Sequence, residues 1–313
     1  MRLKDRIVSR PTEIRGNNGQ RSLGDGHPCF ITFEAGPTQD GLDSAKRLVS
    51  LAAEAGADAV KFQIFDPDKL VADKTMPFSY EVLLDRENGR TETITEPLYD
   101  ILVRRYLHPE EWREVKRHSD SLGLAFFATV GFEEDVQLLE VLGCDSIKIA
   151  SADVNHWPLI RRVARTGMCV QLDTGNATIG EVEDAVEVCR NEGNENIIIH
   201  NCPSGYPARL ESINLRLIPT LKRMFPEYPI AYSDHTPGWE MDVAAVALGA
   251  NLVEKTITTD RTIRSVEHIF SLEPGEMEGF VQVIRDVETA LGRSRRVLHP
   301  EERERRKIGR RSA

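Results

Sequence analysis

One short pattern recurs three times along the chain and constrains its fold more than any other feature: glycine, then Ala or Cys, then Asp or Asn, then an apolar run ending in a charged side chain. The copies are Gly56-Ala57-Asp58-Ala59-Val60-Lys61, Gly143-Cys144-Asp145-Ser146-Ile147-Lys148 and Gly249-Ala250-Asn251-Leu252-Val253-Glu254. Each follows a stretch of helical periodicity. The glycine suits a helix C-terminus, where left-handed backbone meets no Cβ clash, and the apolar run suits a buried parallel strand. Lys61, Lys148 and Glu254 then take the same phase of equivalent strands. The pattern predicts a cationic pocket at one end of a sheet, suited to a small anion such as a phosphate or carboxylate.

Eight apolar runs are candidate strands, near 29–34, 59–63, 125–129, 146–150, 169–173, 196–200, 230–233 and 252–256. Helix-length segments separate most of them. Leu42, Ala45, Leu48, Val49 and Ala52 share one helical face, with Asp40 or Asp43 as the expected cap, and Val182, Ala185, Val186 and Cys189 repeat the pattern. Strand and helix alternating eight times predict a (β/α)8 TIM barrel. A chain of 313 residues accommodates one such barrel of about 250 residues with extensions. The expected extensions are an N-terminal arm or bottom cap over 1–28, an insertion at about 66–107 within the barrel of 29–297, and a charged tail over 298–313. Long insertions after barrel strands sit over the catalytic face, so 66–107 is a candidate lid. The tail, half of it Glu and Arg, reads as a solvated helix or linker.

The formal charge of −10 would repel nucleic acid and anionic membrane surfaces, so neither is expected as a partner, and any anion must be captured locally. No apolar run reaches the ~18 residues of a membrane span, and the charged start lacks a signal peptide's apolar stretch. A cytoplasmic location is expected. The five cysteines show no Cys-x-x-Cys spacing and read as buried free thiols.

In a barrel, chemistry belongs at the C-terminal ends of the strands. Those ends carry Glu34, Lys61, Gln63, Thr129, Lys148, Ser151, Asp173, Ser204, Tyr206, Ser233, His235, Glu254 and Thr256. A lysine that finishes an apolar strand must find an anion, because an unpaired buried ammonium costs several kcal/mol or loses its proton. That anion is either a ligand or one of Glu34, Asp173 and Glu254. His235, in Ser233-Asp234-His235-Thr236-Pro237-Gly238, is a candidate metal ligand or proton carrier, with bracing of a tight turn as the alternative. His200, at a strand end, and His268, in a polar loop, read as structural.

Several of these residues lie in motifs that resemble those of the N-acetylneuraminate (sialic acid) synthase family. The motifs are Phe33-Glu34-Ala35-Gly36, Ala55-Gly56-Ala57-Asp58-Ala59-Val60-Lys61-Phe62-Gln63, Lys148-Ile149-Ala150-Ser151, Tyr206-Pro207, Ser233-Asp234-His235, Val246-Ala247-Leu248-Gly249-Ala250 and Ser271-Leu272-Glu273-Pro274. The resemblance runs from about Ile31 to the end. It implies a barrel that condenses phosphoenolpyruvate with an acyl-amino sugar aldehyde to a nonulosonic or related 3-deoxy-2-keto sugar acid, releasing phosphate. It also implies a divalent metal, manganese or magnesium, and a homodimer. By the same resemblance Lys61, Thr129, Lys148 and Ser151 hold phosphoenolpyruvate, Glu34, Gln63 and Tyr206 face the sugar or the reacting centre, and His235 binds the metal.

The chain also departs from the family pattern. Thr256 stands where a second metal-binding histidine is usual, and a hydroxyl is a poorer ligand than imidazole. Asp173 replaces a serine at the phosphate site, placing like charges together unless it turns away or pairs with a lysine. Asn201 takes a histidine's place, with His200 one position earlier and so on the opposite side of the strand. Glu267 replaces an aspartate for the sugar hydroxyls, and Arg264 replaces a proline. The family continues through a C-terminal antifreeze-like domain carrying an arginine for the partner's sugar site; this chain stops at Arg310-Arg311-Ser312-Ala313, and Arg264 or Arg261 is the expected substitute cation. These departures keep a second reading open, that of a metal-independent sugar-acid lyase or isomerase, or a noncatalytic sugar-binding subunit.

Overall fold

The structure is a computed structural model that describes residues 12–309 except 17 and 18. A hairpin of β1 (Thr12–Gly16) and β2 (Gly19–Leu23) precedes β3 (Phe30–Glu34) and β4 (Ala59–Gln63). A second hairpin, β5 (Pro77–Asp85) and β6 (Arg90–Pro97), is inserted before β7 (Ala125–Val130). Then come β8 (Ser146–Ile149), β9 (Cys169–Asp173), β10 (Ile197–Asn201), β11 (Ile230–Asp234) and β12 (Leu252–Thr256). Strands β3, β4 and β7–β12 pair in parallel in chain order, and β12 closes on β3 with Thr256 opposite Glu34. The fold is the expected (β/α)8 barrel.

The period of two along each strand divides the side chains between two apolar layers. Ile31, Phe33, Val60, Phe62, Phe126 and Ala128 pack outward in the layer shared with the helices. Phe30, Ala59, Ala125, Phe127, Cys169, Ile198, Ala231 and Leu252 point inward and form a separate cluster. Ile14 and Leu23, from the first hairpin, complete that inner cluster and plug the N-terminal end of the barrel. Each is essentially unexposed, which stabilises the plug by about 1.5–3 kcal/mol per side chain. The segment read as an arm or cap thus contains a hairpin; its first eleven residues lie outside those described.

The three recurring glycines have left-handed backbone, with φ of 85° at Gly56, 70° at Gly143 and 101° at Gly249. Each turns the chain from a helix into β4, β8 or β12, which sets Lys61, Lys148 and Glu254 at equal height inside the barrel. The expected cap of helix Leu42–Glu54 is not found. Its N-cap is Gly41, whose N–H is taken by the Gln39 side chain at 2.8 Å, and neither Asp40 nor Asp43 caps. Asp43 still lies in the first turn, where a negative charge suits the helix dipole.

The insertion is built from a helical turn (Pro67–Leu70), the second hairpin and helix Leu98–Arg105. Tyr80, Val82 and Ile101 form a small apolar cluster with Val266, which follows β12. At the hairpin tip, Arg86 grips Glu273 with two hydrogen bonds (2.6 and 2.7 Å) and Asp260 with one of 2.5 Å. His268, read as a polar-loop residue, is instead buried, with Nδ1 2.7 Å from Thr258 Oγ1. Helix Pro300–Gly309 is exposed along its length, and 310–313 lie outside the described residues. No described helix is long and apolar enough to cross a membrane, and all five cysteines are buried and free.

Candidate active site

Lys61 and Lys148 meet on one carboxylate. Lys61 Nζ donates to Glu254 Oε1 at 2.8 Å and Lys148 Nζ donates to Glu254 Oε2 at 2.7 Å. Lys61 also pairs with Glu34, and Lys148 with Asp173 at 3.1 Å. All five side chains are at least nine-tenths buried at residue level. Two ammonium groups at that depth require counter-charges, and the barrel supplies three carboxylates. Of the two anion sources open from the sequence, the structure shows the internal one: the lysines are neutralised by their own strand-end neighbours.

The charges tune one another. Burial alone would push the Glu254 carboxyl up, but Lys148 and Lys61 together hold it well below the usual carboxylate range. Burial tends to strip the proton from Lys61, and Glu254 and Glu34 more than restore it. Glu34 goes the other way: burial outweighs Lys61 and raises its pKa. Its Oε1 accepts the Gly36 N–H at 2.7 Å, which fixes the carboxylate at the end of β3.

Beneath the lysines a hydrogen-bonded row crosses the interior. Gln171 Nε2 donates to Ser146 Oγ at 2.7 Å, which leaves Gln171 Oε1 to accept from His200 Nε2–H at 2.9 Å. His200 Nδ1 is then the acceptor for Ser233 Oγ–H at 2.9 Å, and Ser233 in turn accepts from Lys148 Nζ at 3.0 Å. His200 stays neutral, because burial pushes its pKa down to about 3. It points inward as the strand phase requires, while Asn201 Nδ2 donates away from that row, to Ile213 O at 3.2 Å.

Above this floor lies a cavity of about 250 Å³ at the C-terminal ends of the strands. Glu34, Lys61, Gln63, Thr129, Ser151, Asp173, Tyr206, His235 and Glu267 line it, together with Glu254. Lys148 and Ser233 belong to the floor rather than the wall. Ser204 and Arg264, expected at the site, do not line the cavity. Ser204 is exposed, and its hydroxyl is spent on Gly175 O at 2.9 Å and Asn176 Oδ1 at 2.8 Å. Arg264 is exposed and lies beside the Tyr80 hydroxyl of the inserted hairpin. Arg261 is likewise committed, to Ser271 O at 2.8 Å and to Glu276.

His235 presents one imidazole to the cavity. Its Nδ1 is 3.1 Å from Pro203 O, its ring lies 4.6 Å from that of Tyr206, and burial pushes its pKa down to about 4. Thr256 is buried and does not line the cavity. Among the described residues no three His, Cys, Asp or Glu side chains converge as a metal-ligand set. The donor groups present at His235 and Thr256 do not fit the expected divalent metal.

Two charged residues outside the expected set are buried at or near the site. Glu254 is legible in the sequence as a strand end and as one of three carboxylates able to pair with the lysines, and it bridges both. Arg105 gave no signal, since Val103-Arg104-Arg105-Tyr106 reads as a helix surface. It is buried, its Nη1 donates to Pro37 O at 3.5 Å, and its Nε has no partner among the described residues.

Comparison with known proteins bears on what such a site does. The model of the NeuB family matches residues 48–296. An uncharacterized protein of Methanocaldococcus jannaschii is 36% identical over 287 residues, covering 91% of this chain and 79% of that protein. The N,N'-diacetyllegionaminic acid synthase of Legionella pneumophila is 34% identical over 280 residues, 88% of this chain and 76% of that enzyme. Among solved structures, the N-acetylneuraminic acid (sialic acid) synthetase of Leptospira borgpetersenii, in complex with citrate, superposes with a TM-score of 0.80 at 29% identity, covering 96% of each chain.

Proposed function

Because the chain belongs to the NeuB family, we propose that it is a sialic acid synthase-like enzyme that condenses phosphoenolpyruvate with an acyl-amino aldose to a nonulosonic or related 3-deoxy-2-keto sugar acid, releasing phosphate. The observation that carries this reading is the pair of buried ammonium groups, joined by Glu254 at the base of an open cavity. A donor bearing phosphate and carboxylate is one anion exchanged for others: as it enters, Lys61 and Lys148 pass part of their charge from Glu34 and Asp173 to the ligand. Thr129 and Ser151 add neutral hydroxyls at neighbouring strand ends.

The remaining wall serves the acceptor. Gln63 offers both an amide donor and an acceptor, and Tyr206, held against His235, supplies a flat face with a hydroxyl for the sugar. Glu34, pinned by the Gly36 N–H, is placed to take a proton from the water that adds to the former enol carbon. The ring of carboxylates and lysines also orients the reactants before the bond forms, and such orientation can remove several kcal/mol of the barrier.

The test is phosphate release, assayed with phosphoenolpyruvate and a panel of aldoses, with added manganese and with a chelator. Turnover with at least one acyl-amino aldose is expected. Failure with every acceptor, combined with no binding of the donor, would leave the lyase, isomerase or binding-protein reading instead.

A further inference from the structure

We infer that Glu267 is a catalytic residue, the proton donor to the acceptor's carbonyl oxygen as the carbon–carbon bond forms. The inference rests on the condensation proposed above and assigns one step of it.

Glu267 is nine-tenths buried, lines the cavity, and makes no side-chain hydrogen bond or ion pair with the described residues. A charged carboxylate in that position would be strongly unfavourable, and a neutral carboxylic acid is the form such a site accepts. The charges around it agree. Glu34 and Glu254 disfavour ionisation; Lys61 and Arg105 favour it without making contact; Asp173, His235 and Tyr206 complete the wall. Burial first, and then Glu34, push the Glu267 carboxyl up to about 8. Its neighbour His268 is engaged elsewhere, on Thr258.

The backbone holds the acid in place. Glu267 has φ 75° and ψ −15°, a left-handed conformation that is unfavourable for a non-glycine residue and that tends to mark functional positions. Ser271 Oγ donates to its carbonyl at 2.6 Å, and Val266 is packed under the inserted hairpin. The insertion, expected as a lid, thus buttresses the segment that carries this acid.

The step balances. The electron pair of the enol carbon forms the new bond to the aldehyde carbon, and the displaced C=O pair takes the proton of Glu267, leaving a hydroxyl and a carboxylate. Water adds to the cationic carbon of the donor and loses its proton; phosphate then departs as the ketone forms, and Glu267 regains a proton from solvent. The need is specific to this site. A nascent alkoxide requires either a Lewis acid or a proton, and the donor groups beside His235 do not compose a metal site.

The test is E267Q, which keeps size and neutrality but cannot give up an acidic proton. Expected are a loss in kcat of about 100-fold or more, an unchanged affinity for phosphoenolpyruvate by calorimetry, and absence of the fall in kcat/KM near pH 8 that the wild type should show. A variant that only raises KM for the sugar, with kcat and the alkaline limb intact, would reduce Glu267 to a binding group and overturn the inference. Infrared titration of the wild type needs no variant to fold: it should show a protonated buried carboxyl at pH 7 that is lost above pH 8, and its absence at pH 7 would also overturn the inference. A wild type that neither binds the donor nor releases phosphate would remove the synthase reading itself, and this step with it.

Discussion

Lys148 of β8 and Glu254 of β12 lie on opposite sides of the barrel and join across its interior at 2.7 Å. Because Glu254 also takes Lys61, one carboxylate ties three strands together, and it serves two lysines that would otherwise keep only Glu34 and Asp173 as counter-charges. Changing Glu254 to Gln should therefore destabilise the fold by about 3–5 kcal/mol, the usual effect of removing one partner from a buried ionic cluster. A calorimetric melt checks this; an unchanged melting temperature would mean that the cluster is already relieved by water.

Glu267 predicts a pH dependence of stability. Its folded pKa lies near 8, above the ordinary 4.5, so between those values the folded protein holds a proton that the unfolded chain has released. Stability is then fully present below pH 4.5 and declines as pH rises toward 8. E267Q lacks this decline, so its advantage over the wild type should grow from pH 5 to pH 8, by at most about 4 kcal/mol. Parallel urea titrations at the two pH values measure it.

Asp173 competes with any phosphate for Lys148. Changing it to Ser removes one negative charge next to the ammonium at 3.1 Å, and donor binding should tighten by about tenfold, or about 1.4 kcal/mol. Titration calorimetry with phosphoenolpyruvate checks the direction; weaker binding would show that Asp173 orients Lys148 rather than competing for it.

Gly36 is a position beside the cavity where a methyl group cannot fit. A Cβ there would stand 2.6 Å from the Gln63 nitrogen and 2.8 Å from Glu34 Oε1. Gly36→Ala should therefore displace the Glu34 carboxylate and lower kcat by more than tenfold, whereas Gly143→Ala, with open space around it, should cost only about 1–2 kcal/mol of stability from its left-handed backbone. Kinetics and melts of the two variants separate the effects.

The barrel was legible because its signals are local. A glycine that ends a helix, an apolar run, and a charge five residues after the glycine fix the phase of a strand, and phase alone puts Lys61, Lys148 and Glu254 in one layer. The same argument sends His200 inward and Asn201 away from it. What phase does not fix is who meets whom across the barrel. Ion pairing of the lysines with Glu34, Asp173 and Glu254 was one of two open readings, and the choice between them depends on distances of a few ångströms between strands remote in sequence. Arg264 and Ser204 were misplaced for a related reason: loops after the strands are set by their own hydrogen bonds and by the inserted hairpin, whose docking on Val266 has no sequence period to reveal it. Arg105 was missed because a helix-surface arginine and a buried one look alike in sequence.

The central claim is that Lys61 and Lys148 exist to receive a phosphorylated three-carbon acid. Calorimetric titration of the wild type and of K148A with phosphoenolpyruvate tests it most directly. The account predicts saturable binding to the wild type and none to K148A; no heat of binding to the wild type, or equal binding by both proteins, would contradict it.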